Sequence, residues 1–356
     1  MIVFTGGGTA GHVTPSFAII RHFQSLGWVV HYVGSTTGME EALVSPLGVS
    51  FHSIPTGKLR RYLSLENLLD VFRILFGIWR AYWLCRRLRP RVVFSKGGYV
   101  SFPFVMGAWL NRVPVVAHES DLTPGLANRL AYPFVRRICV TFEQTQRYLD
   151  SERCVYTGTP VREELLNGDA AAGRRFLGFD DRKPIVLFVG GSLGARRLNE
   201  VVRAGLTQLT EDFQVVHIAG AGNLDSARDE TPGYRRFEYL ADPYADVLAA
   251  ADIVVSRAGA NSVYELLLLA KPHVLVPLPL TASRGDQIEN ADYARERGLS
   301  DVIADVELTA ERLLDALQAL LGHLDERRRA LEQFEAPSSV ALITALLESE
   351  AKGQSP

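Results

Sequence analysis

Three glycine-containing turns follow strand-like segments and precede helix-like segments, and this arrangement is typical of phosphate-binding turns. The turns are Gly6–His12, Gly190–Arg196 and Ser256–Glu265. Backbone N–H groups and the helix dipole attract an anion at the start of a helix. A single turn of this kind is as readily a tight turn with nothing bound. Three of them at the carboxyl ends of strands favour a ligand that carries phosphate.

The first turn also matches the dinucleotide fingerprint G-x-G-x-x-G through Gly6, Gly8 and Gly11. An enzyme that binds a nicotinamide dinucleotide places an acidic residue at the end of the second strand, where it binds a ribose hydroxyl. This chain has Val33–Thr36 at that place, without an acidic residue. A nucleotide-dependent dehydrogenase is therefore the weaker interpretation of the first turn.

Short β-branched segments alternate with helical patterns along the chain, which indicates parallel sheets. In the first half the predicted strands are Ile2–Thr5, Trp28–Val33, Arg91–Ser95, Val113–Ala117 and Arg137–Val140. In the second half they are Pro184–Val189, Phe213–Ala219, Arg236–Tyr239, Asp252–Ser256 and His273–Val276. The α/β pattern predicts two Rossmann-like, doubly wound domains that face a cleft.

The turn-prone segment Thr157–Val161 is the expected junction between the domains. The predicted domains are residues 1–160, residues 161–336 and a C-terminal segment of residues 337–356. We expect the helix Ser338–Ser349 to return to the first domain, and the tail after it to be disordered.

The composition is that of an ordinary folded protein, with 356 residues of which 47% are hydrophobic and 22% charged. The most apolar stretch, Leu68–Leu84, is interrupted by charged residues, so we expect no transmembrane helix. The N-terminus has no basic lead and no small-residue cleavage site, which predicts no signal peptide. The three cysteines lack metal-ligand spacing, and neither a disulfide nor a structural zinc site is expected.

The net charge of −2 conceals an asymmetry between the two halves of the chain. Residues 1–160 hold 17 Lys and Arg against 9 Asp and Glu, a balance of +8, whereas residues 161–356 hold 21 against 31, a balance of −10. The basic excess is greatest over Lys58–Lys96. One face of the first half is therefore expected to meet an anionic partner.

Eight segments in a fixed order resemble the MurG family of peptidoglycan N-acetylglucosaminyltransferases, over nearly the whole chain. They are Gly6–His12 with Pro15, Ser95–Ser101, His118–Glu119, Gly125–Asn128, Gly158–Arg162, Gly190–Asn199, Ala258–Glu265, and Asp286–Gln287 with Asn290. The resemblance implies the GT-B architecture, with the nucleotide sugar held mainly by the second domain and the acceptor by the first.

The resemblance also implies roles for individual residues. The implied donor-binding set is Thr9, Ala10, Gly11, Asp121, Arg162, Ser192, Asn199, Ala241, Ala260, Asn261, Ser262, Glu265, Asp286 and Gln287. Within it, Arg162 and Ser192 would contact the diphosphate with help from Asn199. The backbone near Ala241 would bind uracil, Glu265 would bind ribose, and Asp286 and Gln287 would read the sugar hydroxyls. Gly98 and Tyr99 would lie on the acceptor side.

The chemistry of the expected reaction agrees with these roles. A departing UDP needs its negative charge stabilised, and the chain has no Asp-x-Asp metal motif, so helix N-termini and Arg162 would supply that stabilisation without a metal or other cofactor. The acceptor hydroxyl must lose a proton to a base. His12 is the first candidate and Glu119 is its rival. Capping of its helix is the alternative for His12, and orientation of His118 or a backbone amide is the alternative for Glu119.

Two positions depart from the family pattern. Asp121 stands where Asn is common, and Asp286 stands where Gln is common. A carboxylate at either position removes an amide donor and adds charge, which bears on the contacts with the sugar.

The segment Leu68–Arg91 combines aromatic residues with arginines, which is typical of a surface that lies on a membrane. Val71, Ile74, Ile78 and Cys85 form one helical stripe, and Phe72, Phe76, Trp79 and Trp83 form a second, so that one stripe is expected in the core and the other outside. The predicted membrane patch is Phe72, Leu75, Phe76, Trp79, Trp83 and Trp109. The competing hypothesis is that all of them pack inside. No nucleic-acid recognition module accompanies the basic strip.

The sequence thus predicts an inverting, metal-independent transferase that moves N-acetylglucosamine from UDP-N-acetylglucosamine to lipid I, on the cytoplasmic face of an anionic plasma membrane. Three alternatives stay open: a related GT-B transferase with another lipid or sugar, a UDP-N-acetylglucosamine 2-epimerase, and the dehydrogenase.

Overall fold

The computed structural model describes residues 1–57, 65–150, 152–180, 182–190, 195–224 and 231–353, with the side chains of residues 65–69 excepted. The chain divides into two compact units. Unit 1 comprises Met1–Arg162 and Pro337–Pro356, and unit 2 comprises Glu163–Ala336.

Unit 1 is built on a seven-stranded parallel sheet. Its strands are β1 (Ile2–Gly6), β2 (Val30–Ser35), β3 (Ser50–Ile54), β4 (Val92–Gly97), β5 (Val115–Glu119), β6 (Arg137–Val140) and β7 (Cys154–Tyr156). Their order is β3-β2-β1-β4-β5-β6-β7. The central strands are buried on both faces and read as continuous apolar runs, as expected for a parallel sheet between two layers of helices.

In the part of unit 1 that the structure describes, the helices are α1 (Ser16–Ser25), α2 (Glu40–Val44), α3 (Leu65–Leu88), α4 (Ser101–Leu110), α5 (Leu126–Ala131) and α15 (Ser339–Ala351). The last of these comes from the end of the chain. Its Ile343 and Leu347 are fully buried in the core that contains β1 and α1. Its buried Glu350 lies 3.4 Å from the Nε atom of Arg137, next to β6. Apolar packing and a buried ion pair therefore anchor α15 to unit 1.

Unit 2 is built on a six-stranded parallel sheet. Its strands are β8 (Ile185–Val189), β9 (Gln214–Ile218), β10 (Tyr234–Phe237), β11 (Ile253–Ser256), β12 (His273–Leu275) and β13 (Asp301–Val302), in the order β10-β9-β8-β11-β12-β13. Its helices are α6 (Glu163–Leu166), α7 (Ala170–Leu177), α8 (Arg196–Ala204), α9 (Leu206–Asp212), α10 (Tyr244–Ala250), α11 (Ala260–Leu268), α12 (Asp286–Glu296), α13 (Ala310–Gly322) and α14 (Leu324–Glu332).

The two Rossmann-like parallel sheets confirm the predicted fold class. The structure adds three strands that the sequence analysis missed, β3, β7 and β13. All three lie at or beside a sheet edge, and the last two have only three and two residues. Apart from buried Ile54 at the end of β3, the residues of these strands are exposed or half-buried, and they lack the apolar pattern that marks a central strand.

Candidate active site

The first candidate region lies in unit 1, where the sheet order reverses between β1 and β4. Connections leave these two strands toward opposite faces of the sheet, and such a switch point opens a crevice at the carboxyl ends of the strands. The turn Gly6–His12 follows β1, and the turn Gly97–Tyr99 follows β4. The N–H group of Gly7 donates to the carbonyl of Gly97 at 3.3 Å, so the two turns contact each other directly.

This contact depends on glycine. Gly8 has a φ of +89°, and a Cβ at this position would lie 2.6 Å from the ring of Tyr99. Gly98 has a φ of +80°, and a Cβ there would overlap the carbonyl of Gly7 and approach Cδ2 of His12 to 3.1 Å. The structure therefore brings together the predicted residues His12, Gly98 and Tyr99. Thr9 is exposed at the start of a 3₁₀ turn, Ala10–His12, so Ala10 and Gly11 lie beside His12.

Glu119, at the end of β5, is fully buried and its carboxylate accepts four hydrogen bonds. The donors are the backbone N–H groups of Asp121 at 3.1 Å and Gly125 at 3.2 Å, the Asn128 amide at 2.9 Å and the Tyr132 hydroxyl at 2.7 Å. Burial raises the pKa of Glu119. Since its oxygens are saturated from inside unit 1, Glu119 holds the segment from residue 121 to 128 against the sheet. Asp121 itself is half-buried.

Lys96 and His118 form a buried polar cluster that the sequence analysis did not identify as a unit. The Lys96 Nζ donates to Nδ1 of His118 at 2.8 Å, to the hydroxyl of Ser120, and to Oγ1 of Thr159 at 3.5 Å. The His118 Nε2–H donates to the carbonyl of Gly158 at 2.8 Å, which leaves Nδ1 as the acceptor. Burial lowers the pKa of Lys96 to about 7, and it lowers the pKa of His118 well below its usual range.

The cluster connects the ends of β4 and β5 to the segment after β7. The three acceptors of Lys96 all lie within unit 1, which indicates a structural role for His118. The segments that resemble the family contain Lys96, His118 and Thr159 singly, but nothing in the sequence joined them, because the partners of Lys96 lie 22 to 63 residues from it along the chain. Arg162, at the end of unit 1, is half-buried.

The second candidate region lies in unit 2, where the sheet order reverses between β8 and β11. Gly190 follows β8, but the predicted Ser192 lies outside the described residues. Asn199, on α8, is buried, and its amide is engaged on both sides. Its Nδ2 donates to the carbonyl of Ala219 at 2.8 Å, and its Oδ1 accepts from Nε2 of His217 at 2.9 Å. Burial lowers the pKa of His217 to about 4. Asn199 thus connects α8 to the carboxyl end of β9.

Helix α11 begins immediately after β11, with Gly259 as its N-cap. Ala260 is buried, Asn261 and Glu265 are half-buried, and Ser262 is exposed, so polar groups line the first two turns. The amide of buried Asn290, on α12, donates to the carbonyl of Ala258 at 3.2 Å.

Helix α12 presents the other predicted sugar-binding residues at its N-terminus. Asp286 lies 3.6 Å from Nε of Arg284, and Oε1 of Gln287 accepts the N–H group of Leu278 at 3.0 Å. The bond from Leu278 uses the Oε1 atom of Gln287 and not its Nε2 atom. Ala241 is exposed just before α10.

One face of α3 leaves large apolar side chains in water. Phe72, Leu75, Phe76, Trp79 and Trp83 are each 51–61% exposed, and Trp109 on α4 is 47% exposed. Ile74, Ala81 and Cys85 pack inward. The prediction of one buried and one exposed stripe describes this helix, except that Val71 is 43% exposed.

Basic residues flank this exposed face of α3. They are the exposed residues Arg73, Arg80, Arg86 and Arg87, whereas Lys58, Arg60 and Arg61 lie outside the described residues. Among the described residues, no helix is long and apolar enough to cross a membrane.

The two parallel α/β units, each with polar residues at its switch point, have the GT-B architecture. Residues 2–140 match the model of the glycosyltransferase family 28 N-terminal domain, and residues 185–342 match that of its C-terminal domain. The chain belongs to glycosyltransferase family 28.

Individual relatives agree with this class. The chain is 50% identical, over its whole length and 98% of the relative, to the UDP-N-acetylglucosamine--N-acetylmuramyl-(pentapeptide) pyrophosphoryl-undecaprenol N-acetylglucosamine transferase of Legionella pneumophila strain Lens. A crystal structure of MurG from Acinetobacter baumannii is similar with a TM-score of 0.76 at 25% identity, covering 98% of this chain and 99% of that one. A UDP-GlcNAc 2-epimerase from Neisseria meningitidis shares the fold, with a TM-score of 0.68 at 13% identity, covering 99% of this chain and 100% of that one.

The buried Lys96 predicts a pH dependence of stability. Its pKa is about 7 in the folded protein and about 10.5 when unfolded, so the unfolded chain binds more protons between these values and the free energy of unfolding rises with pH. Lys96→Met removes this contribution. We expect the stability of the native protein, relative to the variant, to increase by about 1 kcal/mol or more between pH 7 and pH 9.

Urea unfolding followed by tryptophan fluorescence measures this difference, because all four tryptophans lie in residues 1–162 and report on unit 1. Lys352→Met, at an exposed lysine of the same unit, serves as the control and leaves the pH dependence as it is. A stability difference that stays constant from pH 7 to pH 9 contradicts the role of Lys96.

Proposed function

We propose that this chain transfers N-acetylglucosamine from UDP-N-acetylglucosamine to lipid I, the undecaprenyl-pyrophosphoryl N-acetylmuramyl-pentapeptide, and so forms lipid II for peptidoglycan synthesis. The transfer inverts the configuration at the anomeric carbon. The observation that carries the proposal is the 50% identity to the Legionella pneumophila transferase over the complete chain. The polar residues at both switch points support it, because the motifs that carry the resemblance lie there.

Unit 2 holds the donor in this proposal. Asn261, Ser262 and Glu265 lie within two turns of the start of α11, which places hydroxyl and carboxylate groups where ribose and phosphate oxygens are bound. The dipole of this nine-residue helix stabilises the charge that develops on the departing UDP. Arg162 and Ser192 contact the diphosphate, and the backbone at Ala241 binds uracil.

Asp286 and Gln287 read the hydroxyls of the sugar. The carbonyl of Gln287 is engaged by Leu278, which orients the side chain and leaves its NH₂ group as the donor toward the sugar. Asn199, with both ends of its amide engaged inside unit 2, acts by holding the sheet edge and not by contacting the donor.

His12 is the general base, and Glu119 is a positioning residue. A base must reach the hydroxyl whose proton it removes. His12 lies half-buried in the turn that contacts Gly98 and Tyr99. Glu119 is buried and already accepts four hydrogen bonds. If its carboxylate left these donors to act as a base, each donor left unsatisfied would cost about 1–3 kcal/mol. Thr9, Ala10 and Gly11 line the reaction centre beside His12, and Asp121 contributes to the donor side.

The exposed face of α3 binds the enzyme to the cytoplasmic face of the plasma membrane as a peripheral protein. Phe72, Leu75, Phe76, Trp79 and Trp83 enter the interface between headgroups and acyl chains, and the flanking arginines contact anionic lipid. This placement brings the enzyme to an acceptor that stays in the bilayer.

The function is tested with labelled UDP-N-acetylglucosamine and lipid I in detergent micelles. We expect the label to appear in lipid II, and we expect the rate to persist when EDTA chelates divalent cations, because helix dipoles and Arg162 neutralise the leaving group. Label that reaches only the epimerised nucleotide sugar, without the acceptor, identifies an epimerase. An absolute need for a metal ion contradicts the proposed neutralisation.

The base is tested by His12→Ala, with His22→Ala on α1 as the matched control. We expect kcat to fall about 100-fold or more for His12→Ala, because general-base catalysis contributes 10²–10⁴-fold, whereas calorimetry shows UDP bound with unchanged affinity. An equal loss in UDP binding is incompatible with a base.

Membrane binding is tested by the double variant Trp79→Ala with Trp83→Ala. Each ring removes apolar area from water on insertion, and we expect at least a tenfold weaker partition onto vesicles of anionic phospholipid. Phe176→Ala, at an exposed aromatic residue of unit 2, leaves the partition unchanged. If sedimentation finds both variants bound as tightly as the native protein, the face of α3 is not the membrane surface.

A further inference from the structure

A buried carboxylate lies directly beneath the first glycine turn. Glu40, the first residue of α2, is fully buried. Its Oε1 accepts the backbone N–H of Gly8 at 2.8 Å, and its Oε2 accepts the Ser35 hydroxyl at 2.8 Å and the Ser35 N–H at 3.4 Å. These three donors are uncharged. The side chain therefore joins α2 and the end of β2 to the turn that follows β1.

The surrounding backbone is shaped to admit this carboxylate. A Cβ on Gly7 would overlap Oε1 of Glu40, and a Cβ on Gly38 would overlap Oε2. Both positions therefore require glycine, because any larger residue would occupy the space of the carboxylate oxygens. Glu40 is thus enclosed by the turn and is not a surface acid that happens to fold inward.

Two further contacts lead from this carboxylate to the proposed reaction centre. The ring of Tyr99 packs on the Cα of Gly8, on which a Cβ would come within 2.6 Å of that ring. Gly98 packs against the carbonyl of Gly7 and against His12. Burial raises the pKa of Tyr99, and the nearby charge of Glu40 raises it further. A displacement of Gly8 would therefore move the surroundings of both Tyr99 and His12.

We propose that Glu40 is a positioning residue for glycosyl transfer, which acts by accepting the hydrogen bond of the Gly8 amide and thereby holds the turn in the conformation that places His12 and Tyr99 for the acceptor. The proposal rests on the proposed function and deepens it. Because the Gly8 amide is engaged by protein, it does not serve the diphosphate of the donor. The diphosphate is assigned to Arg162, Ser192 and the start of α11, and we expect the affinity for UDP to be independent of Glu40.

Three variants separate the hydrogen bond from the mere presence of an acid. Glu40→Gln retains a carbonyl oxygen for Gly8, while its NH₂ group faces the Ser35 hydroxyl, which is able to accept, and loses only the long bond from the Ser35 N–H. Glu40→Asp retains the charge but is one methylene shorter, so its oxygen no longer reaches Gly8. Glu40→Ala removes the acceptor altogether. Glu350→Ala, at a buried carboxylate of α15 outside the turn, is the matched control for the loss of a buried acid.

In the lipid I assay we expect kcat to fall about 10- to 100-fold for Glu40→Ala and for Glu40→Asp, since a misplacement of about 1 Å costs up to 10²-fold. We expect kcat of Glu40→Gln to stay within about threefold of the native value, and Glu350→Ala to keep the native kcat. By calorimetry, all of these variants bind UDP with native affinity. Native kcat in Glu40→Asp, or a loss in Glu40→Gln as large as in Glu40→Ala, overturns the proposal.

Hydrogen exchange of the full-length variants gives a readout that does not depend on activity. We expect the Gly8 amide to exchange slowly in the native protein and in Glu40→Gln, and faster in Glu40→Ala and Glu40→Asp. Equal exchange in all four proteins overturns the role of Glu40. If the native enzyme transfers no label to lipid I while the exchange pattern holds, the proposed function fails and the hydrogen bond stands.

Discussion

The whole first unit depends on how closely two backbone turns approach each other at the carboxyl ends of β1 and β4. The N–H group of Gly7 reaches the carbonyl of Gly97, and Gly98 lies against the carbonyl of Gly7. Backbones approach to this distance only where no Cβ intervenes, so glycine is a geometric requirement of the site. The contact in turn determines where His12 and Tyr99 stand, because each belongs to one of the two turns.

Buried polar side chains support the segments that follow β1, β4 and β5 from inside unit 1. Glu40 accepts from the turn after β1, Lys96 donates across the ends of β4 and β5, and Glu119 accepts from the segment that leads to α5. Burial of such groups is costly unless their hydrogen bonds are complete. Here the cost is offset by several bonds at each group, and the loops they hold are restricted to one arrangement before any ligand arrives.

In unit 2, neutral amides as well as one ion pair support the ends of the strands. Asn199, Gln287 and Asn290 bond to backbone groups and to one histidine, and none of these bonds needs a charge. In the proposed function this unit receives a diphosphate, and a buried carboxylate beneath the site would repel it. The charged support in unit 2 is the ion pair of Arg257 and Asp305 at the end of β11, in which the guanidinium balances the carboxylate.

Much of the fold was predictable because central strands of a parallel sheet must be apolar on both faces. The strand at Arg137–Val140 was predicted to the residue, and the others differ by at most two residues at either end. The strands β3, β7 and β13 were missed, since an edge strand needs no such pattern. The apolar stripes of α3 were visible from their spacing, but only packing against neighbouring helices left Phe72 and Trp79 in water while Ile74 turned inward.

The sequence alone determined which turns contain glycine, which residues of the motifs are able to donate, accept or ionise, and which class of fold the chain adopts, because these follow from residue type and local periodicity. The tertiary structure decided that Glu119 is saturated by four donors, that Lys96 binds His118, and that Glu40 lies beneath Gly8. The partners in these pairs are 2 to 32 residues apart along the chain, and strand order with packing brings the distant ones together. A hydrogen bond depends on distance in space, which no spacing along the chain specifies.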